Sequence, residues 1–148
     1  MATIVVLDTG PVGVLTNPRL TPVPMAIRKW LADLLTANRR VILPEISDYE
    51  IRRELMRGRK SQSLTMLNTL ANQVEFLPIN TPAMRLAADL WAQSRNAGLP
   101  TGMSAALDGD VILAAQALHL GVPVVVATGN TAHLSRFIAA DDWQNITP

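Results

Sequence analysis

The sequence predicts a three-layer α/β domain with a mostly parallel central sheet, on three observations. Short apolar runs alternate with longer stretches of helical periodicity. The two clearest runs, TIVVL at 3–7 and PVVVA at 123–127, are apolar throughout, as strands covered on both faces are. Polar Asp-Thr-Gly and Thr-Gly-Asn sequences follow these runs directly, where open parallel sheets bind their ligands.

In chain order, residues 3–7 form the first strand, ended by Asp-Thr-Gly-Pro. Residues 24–38 carry Ile27, Leu31, Leu34 and Leu35 at helical spacing, and Pro24 suits the first turn. Residues 41–43 form a second strand. Pro44 then opens a helix that places Ile46, Tyr49 or Glu50, Arg53, and Met56 or Arg57 on neighbouring turns. A helix over 61–72 and a strand over 74–79 come next. Thr81 reads as an N-cap with Pro82 at the first helical position, and this helix runs through Met84, Ala87, Ala88 and Trp91 to a stop at Gly98-Leu99-Pro100. Residues 110–120 form a helix carrying Ile112, Leu113, Ala117 and Leu120, with Gly121 as its C-terminal cap. After the strand at 123–127 come a short helix over 132–140 and an edge strand over 143–146. No repeat, low-complexity tract or linker interrupts the chain, so residues 1–148 read as one domain.

Composition narrows the chemistry. With 148 residues, 49% of them hydrophobic and 17% charged, the chain is long and apolar enough to bury a core. No stretch reaches the roughly 18 apolar residues of a membrane span. MATIVVLDTG lacks a basic n-region and a cleavage site, so it reads as a strand and not a signal peptide, and the cytoplasm is the expected location. The absence of cysteine removes disulfides, thiolate catalysis and thiolate metal sites together. With only His119 and His133, a histidine-rich zinc site or a Ser-His-Asp triad has little to draw on. A net charge of +1 does not by itself announce nucleic-acid binding. Carboxylates are left to carry the chemistry.

Asp8 follows the first strand, Asp108-Gly109-Asp110 begins a helix, and Glu50 joins them if the helix after the second strand turns back over the sheet edge. Each has a plainer reading. Asp8 is also a turn residue or cap, Asp108 an N-cap, and Glu50 a partner in surface pairing with Arg53 and Glu54. Asp108 and Asp110, two apart, share the site only if Asp108 lies in the preceding loop. The Thr-Gly-Asn sequence could be a simple turn. Taken together, several acids at strand exits without matching cations would repel one another, and a bound divalent cation supplies the missing charge. Oxygen ligands with no Cys and little His favour Mg²⁺ or Mn²⁺ over Zn²⁺ and point to metal-dependent phosphodiester chemistry.

Four segments in order resemble the PIN-domain nucleases, the family that includes VapC-type toxins of bacterial toxin–antitoxin pairs. IVVLDTGPVGVL resembles the opening strand and first acid, at Asp8. LPEISDYEIRREL resembles the segment carrying the family's Glu, at Glu50. LDGDVILAAQAL resembles the helix of the third acid, at Asp110, and VVVATGNTAHLSRF the closing strand and its turn, with Thr128 and Asn130. The resemblance covers nearly the whole chain. It implies a Mg²⁺- or Mn²⁺-dependent endoribonuclease acting on RNA, a homodimer, and inhibition by a cognate antitoxin protein. Asn130 stands where many relatives carry a fourth acid; it can ligate through its carbonyl or orient a water but brings no charge. That favours one strongly bound ion, with Asp108 as an alternative source of the missing carboxylate.

Other residues take secondary expectations. Thr9 and Thr128 suit a role orienting the ligands. Glu45, about one and a half turns from Glu50, is expected on another, solvated face. His133 reads first as a satisfied structural histidine and second as a phosphate contact. Arg52, Arg53, Arg57, Arg59 and Lys60 form the densest basic run, either a solvated helix face or an RNA-contact surface. Trp30, Trp91 and Trp143 read as core or interface anchors. Among competing functions, a phosphatase of haloacid-dehalogenase type needs a second Asp where Gly10 stands. A phosphoreceiver domain needs paired early acids and a late Lys that are missing here. A catalytically degenerate module that binds RNA or protein is the remaining alternative.

Overall fold

The computed structural model describes residues 3–98 and 104–148. The elements run β1 (Ile4–Leu7), α1 (Thr9–Leu15), α2 (Pro22–Thr36), β2 (Val41–Pro44), α3 (Glu45–Arg57), α4 (Ser61–Gln73), β3 (Glu75–Leu77), α5 (Thr81–Asn96), α6 (Ser104–Leu118), β4 (Val124–Ala127), α7 (Thr131–Leu134) and β5 (Ala140–Asp141), then a 3₁₀ turn at Trp143–Asn145. The strands form one sheet in the order β3-β2-β1-β4-β5, and each neighbouring pair is parallel. This is the α/β architecture expected from the sequence.

The unbroken apolar runs follow from burial on both faces. Val5, Leu7, Val41 and Leu43 pack with Ile27, Leu34 and Leu67 on one side. Ile4, Val6, Ile42 and Val126 pack with Leu113, Ala114 and Leu134 on the other. Each fully buried Val, Leu or Ile contributes about 1.5–3 kcal/mol, which makes β1, the middle strand, the centre of the core. On α6, Ala114, Ala115 and Ala117 have no exposed surface, so this helix lies close against both the sheet and α5.

Polar side chains tie helices to strand ends. The Ser47 hydroxyl donates to the Leu7 carbonyl at 2.8 Å, fixing the start of α3 over β1. The buried Gln116 of α6 accepts from the Ile46 N–H and donates to the Leu77 carbonyl at 2.9 Å. Glu45, expected on a solvated face, instead accepts from the Ile79 N–H at 2.7 Å and holds the chain beyond β3. Trp30 donates to the Ile146 carbonyl at 2.7 Å and packs on Trp143 with ring centroids 5.7 Å apart.

Several boundaries differ from the sequence expectation. Residues 9–15 form a helix, because Asp8 serves as its N-cap by accepting from the Thr9 N–H and Pro11 sits in the first turn. The cap of α5 is Asn80 rather than Thr81: the Asn80 side chain accepts from the Ala83 N–H at 2.9 Å. Helix α6 begins at Ser104 rather than 110, since Leu107 and Val111 pack with Ala87 of α5 and carry the helix through Gly109. The last helix is only α7, and the edge strand is β5, because Asp142 caps Gln144 and turns the expected strand at 143–146 into a 3₁₀ turn. The Leu99-Pro100 part of the stop after α5 lies outside the described residues.

Two helices end alike. After α2, Asn38 at φ 60° sends the chain left-handed, with Asn38 N–H to Leu35 and Arg39 N–H to Leu34 carbonyls. After α3, Arg59 at φ 53° does the same, its N–H meeting Met56 while the Lys60 N–H meets Leu55. An Arg in this conformation is strained where Gly is not. Arg59→Gly should therefore stabilise the protein by about 0.5–1 kcal/mol in urea unfolding, after the offset for greater unfolded-chain freedom. A loss of stability would mean that the Arg59 side chain contributes more than its backbone costs.

Candidate carboxylate site at the strand exits

The register of β1 with β4 pairs Leu7 with Ala127, so the next residues, Asp8 and Thr128, leave the sheet side by side. The Asp8 N–H continues the ladder to the Ala127 carbonyl at 3.0 Å. One Asp8 oxygen accepts from the Thr9 N–H at 2.7 Å and the other from the Thr128 hydroxyl at 2.7 Å. Thr128 is fully buried, and its oxygen in turn accepts from the Asn130 N–H at 2.8 Å. Burial pushes the Asp8 carboxyl up, with the Thr128 and Thr9 hydrogen bonds opposing it. Among the described residues only neutral donors hold this acid.

Glu50 arrives from the second turn of α3. Its Oε1 accepts from the Thr9 hydroxyl at 2.8 Å, so Thr9 touches both acids, Asp8 through its N–H and Glu50 through its side chain. The nearest cation, Arg53, stands 3.9 Å from Glu50 Oε2 and lies over the Tyr49 ring. The carboxylate rests against the backbone of α6, where a Cβ on Gly109 would lie 2.8 Å from Glu50 Oε2. Gly109 is thus a helix-interior glycine required by a close approach.

Asp110, one residue on, completes the group. Its carboxyl is pushed up to about 6, first by burial and then by the charge of Asp8; Glu50 adds to the rise, while His133 and Arg136 oppose it. Asp8 and Glu50, taken from distant parts of the sequence, therefore both act electrostatically on Asp110. Among the described residues no group of three His, Cys, Asp or Glu side chains is already disposed as a metal cage. The donor chemistry nevertheless fits a hard divalent cation. The two Asp8 oxygens and Glu50 Oε1 each keep a lone pair beyond one hydrogen bond, and the charges of Asp8 and Glu50 raise Asp110 in a way that a cation would relieve.

The other expected site residues fall elsewhere. Asp108 lies within α6, neither in the preceding loop nor at a cap, and lines the groove formed with Met84, Ala88 and Trp91 of α5. Residues two apart on a helix point apart, so Asp108 does not join the other acids. Asn130 is exposed at the start of α7, at the rim beyond Thr128. The basic run divides. Arg52 is engaged by both Asp48 oxygens and by Asn68, and Arg57 by Glu54. Arg59 and Lys60 lie beyond the helix end. Sequence reasoning missed Gly109 and Arg136; the signal for Gly109 was a glycine inside an otherwise helical pattern. Among the described residues no helix is long and apolar enough to cross a membrane.

A family model described as the PIN domain matches residues 5–137. Among solved structures, the chain is similar to VapBC2 from Rickettsia felis bound to a DNA fragment from their promoter, with TM-score 0.75 and 18% identity over 95% of this chain and 99% of that one. It is also similar to FitAcB from Neisseria gonorrhoeae (TM-score 0.71, 20% identity, 97% and 100% covered). A third, VapBC-1 from nontypeable Haemophilus influenzae, gives TM-score 0.67 and 23% identity over 97% and 100%. At these identities the likeness is one of fold. No curated protein sequence matches the chain.

Two outcomes follow from the geometry. Gly109→Ala should displace the Glu50 carboxylate while leaving the melting temperature unchanged or raised, since Ala in a helix interior gains about 0.5–1 kcal/mol over Gly. A marked loss of stability in thermal melts would show that α6 itself, not the Glu50 side chain, yields to the added methyl. The second concerns pH. The folded protein holds the Asp110 proton more tightly than the unfolded chain, whose value is near 3.8, so ionisation opposes folding. The metal-free protein should lose stability through this group as pH rises from about 4 through about 6. Asp110→Asn should therefore stabilise by about 1 kcal/mol near pH 7.5, allowing for solvent screening, and by little near pH 4. Melts in EDTA at the two pH values give the comparison, and a mutant less stable at pH 7.5 would contradict it.

Proposed function

The chain belongs to the PIN domain family, and we propose on that footing that it is a Mg²⁺- or Mn²⁺-dependent endoribonuclease, the toxin of a toxin–antitoxin pair acting in the cytoplasm. The observation that carries this reading is the Asp110 carboxyl, raised by burial and by the negative charges of Asp8 and Glu50 with too little positive charge nearby to offset them. Such an arrangement opposes folding in isolation and gains from a bound cation. The antitoxin partner is supported by the likeness of fold to chains solved in VapBC complexes.

In this reading Asp8, Glu50 and Asp110 hold the ion. When bound, it would lower the pKa of a water and neutralise charge developing on the phosphodiester. The chain's own residues set the geometry. Thr128 and the Thr9 N–H fix both oxygens of Asp8, and the Thr9 hydroxyl fixes Glu50, so the carboxylates cost little reorganisation when the substrate arrives. Asn130 stands at the rim, where its amide can orient a water or a phosphate oxygen without adding charge. His133 and Arg136, whose side chains meet at 3.1 Å, act electrostatically on Asp110 and would attract a phosphate brought to it. A homodimer is part of the same proposal.

The test is cleavage of single-stranded RNA by the purified protein. Cleavage should require Mg²⁺ or Mn²⁺, vanish in EDTA, and be absent in Asp110→Asn. Mg²⁺ should raise the wild-type melting temperature more than the mutant's, because ligand binding to the native state stabilises it by mass action. Undiminished cleavage in EDTA, or a mutant that still cuts RNA, would overturn the reading.

A further inference from the structure

A second polar cleft, of about 470 Å³, lies where the end of α1 and the loop after it meet α3 and the start of α4. Its chemistry is one-sided. Arg19 and Lys60 line it, no carboxylate does, and among the described residues neither cation has an acidic partner. Helix α4 opens onto it without a side-chain cap: Lys60 stands at the N-cap position, and the first helical bond is from Leu64 to the Lys60 carbonyl. The N–H groups of Ser61, Gln62 and Ser63 are thus left pointing outward at the positive end of a 13-residue helix.

A separate observation marks the cleft as a ligand site. Ser63 is only 6% exposed, opens onto the cleft, and its hydroxyl has no hydrogen-bond partner among the described residues. Several carbonyls beside the cleft are already engaged. The Thr16 hydroxyl meets the Val12 and Gly13 carbonyls, and Arg28 meets those of Asn17 and Arg19. What remains is a set of donors with two unneutralised cations, the requirement of a phosphate oxyanion.

The cleft is built on two of the helices that carry the carboxylate site. It is lined by Gly13 of α1 and Leu55 of α3, the helices that begin at Asp8 and carry Glu50. The two helices run in close contact, a Cβ on Gly13 lying 3.2 Å from Ile51. Leu55 is about 7.5 Å along α3 from Glu50, at 1.5 Å per residue. We propose that this cleft binds a backbone phosphate of the RNA, a short run of nucleotides away from the bond held at Asp8, Glu50 and Asp110. The proposal rests on the nuclease reading for its ligand and on the cleft alone for its chemistry. An acidic peptide would satisfy the same donors, but the nearness along α1 and α3 to Asp8 and Glu50 favours the nucleic acid.

Two measurements on the full chain test it. Titration with inorganic phosphate, followed by amide chemical shifts, should move residues 61–63 saturably; Arg19→Gln/Lys60→Gln should weaken this at least fivefold, and Ser63→Ala should reduce it. Binding of a single-stranded oligoribonucleotide in EDTA should lose salt dependence in the double variant, its log–log slope falling by about 0.7 for one phosphate contact. Arg19 and Lys60 are exposed, so the variant's fold is checked by its melting temperature. Unmoved amides, an unchanged slope, or no RNA binding at any salt would overturn the proposal. So would a cleft that takes free phosphate or an acidic peptide while RNA binding is unaffected. A wild type that binds RNA through these residues but cuts none would leave the subsite standing and overturn the nuclease reading.

Discussion

The hydrogen bond from the Asp8 N–H to the Ala127 carbonyl carries the β1–β4 ladder one step past both strands, and the Thr128 hydroxyl follows it onto the Asp8 side chain. Much else hangs from this step. With Asp8 held there, its carboxylate caps α1; with α1 begun, Thr9 is placed to reach Glu50; with Glu50 held, α6 must present a residue without a side chain, and Gly109 does. A one-residue slip between β1 and β4 would exchange the two core faces and dissolve the sequence of contacts at its first link. The site is therefore specified by the same parallel register that buries Val5 and Val6.

The chain treats its acids in two ways. Asp48 meets both nitrogens of the Arg52 fork at 3.0 Å, and Glu75 meets Arg40 at 2.9 Å. These acids are neutralised where they stand. Asp8 receives only neutral donors, and Glu50 a hydroxyl and an Arg53 held at 3.9 Å. Cations are available on α3 and are spent one turn away from the strand exits. Leaving charge uncompensated at one place in a marginally stable fold costs stability, which is the usual signature of a functional site.

The inner strands β1, β2 and β4 were legible because burial on both faces leaves apolar runs that little else produces, whereas the edge strand β5 carries no such run. Asp8 was legible as a residue at a strand exit, because a strand exit is a fixed point. Helix α1 was not: its segment carries Gly10, Pro11 and Gly13, which read as punctuation, and only the cap supplied by Asp8 turns them into a helix. The position of Asp108 was also hidden, since Asp-Gly-Asp looks like a helix start and only packing on α5 reveals that the helix is already under way. Of the cleft at α4 only Lys60, within the basic run, could be read. The cleft joins Arg19 to Lys60 across the fold, and no periodicity records which cations lack partners.

The alanines of α6 give the helix a stand-off set by the smallest side chains that still fill space. Ala114 and Ala117 face the sheet and Ala115 faces α5, all without clearance. A larger residue at any of them costs about 1–3 kcal/mol in overpacking, but the energetic loss is the lesser effect. The helix would ride outward as a rigid rod, and Asp110, at its middle, would ride with it. The separation of charges at the strand exits is thus gauged by methyl groups one to two turns away, so that natural drift at inert, buried positions could retune the site without touching a single acid.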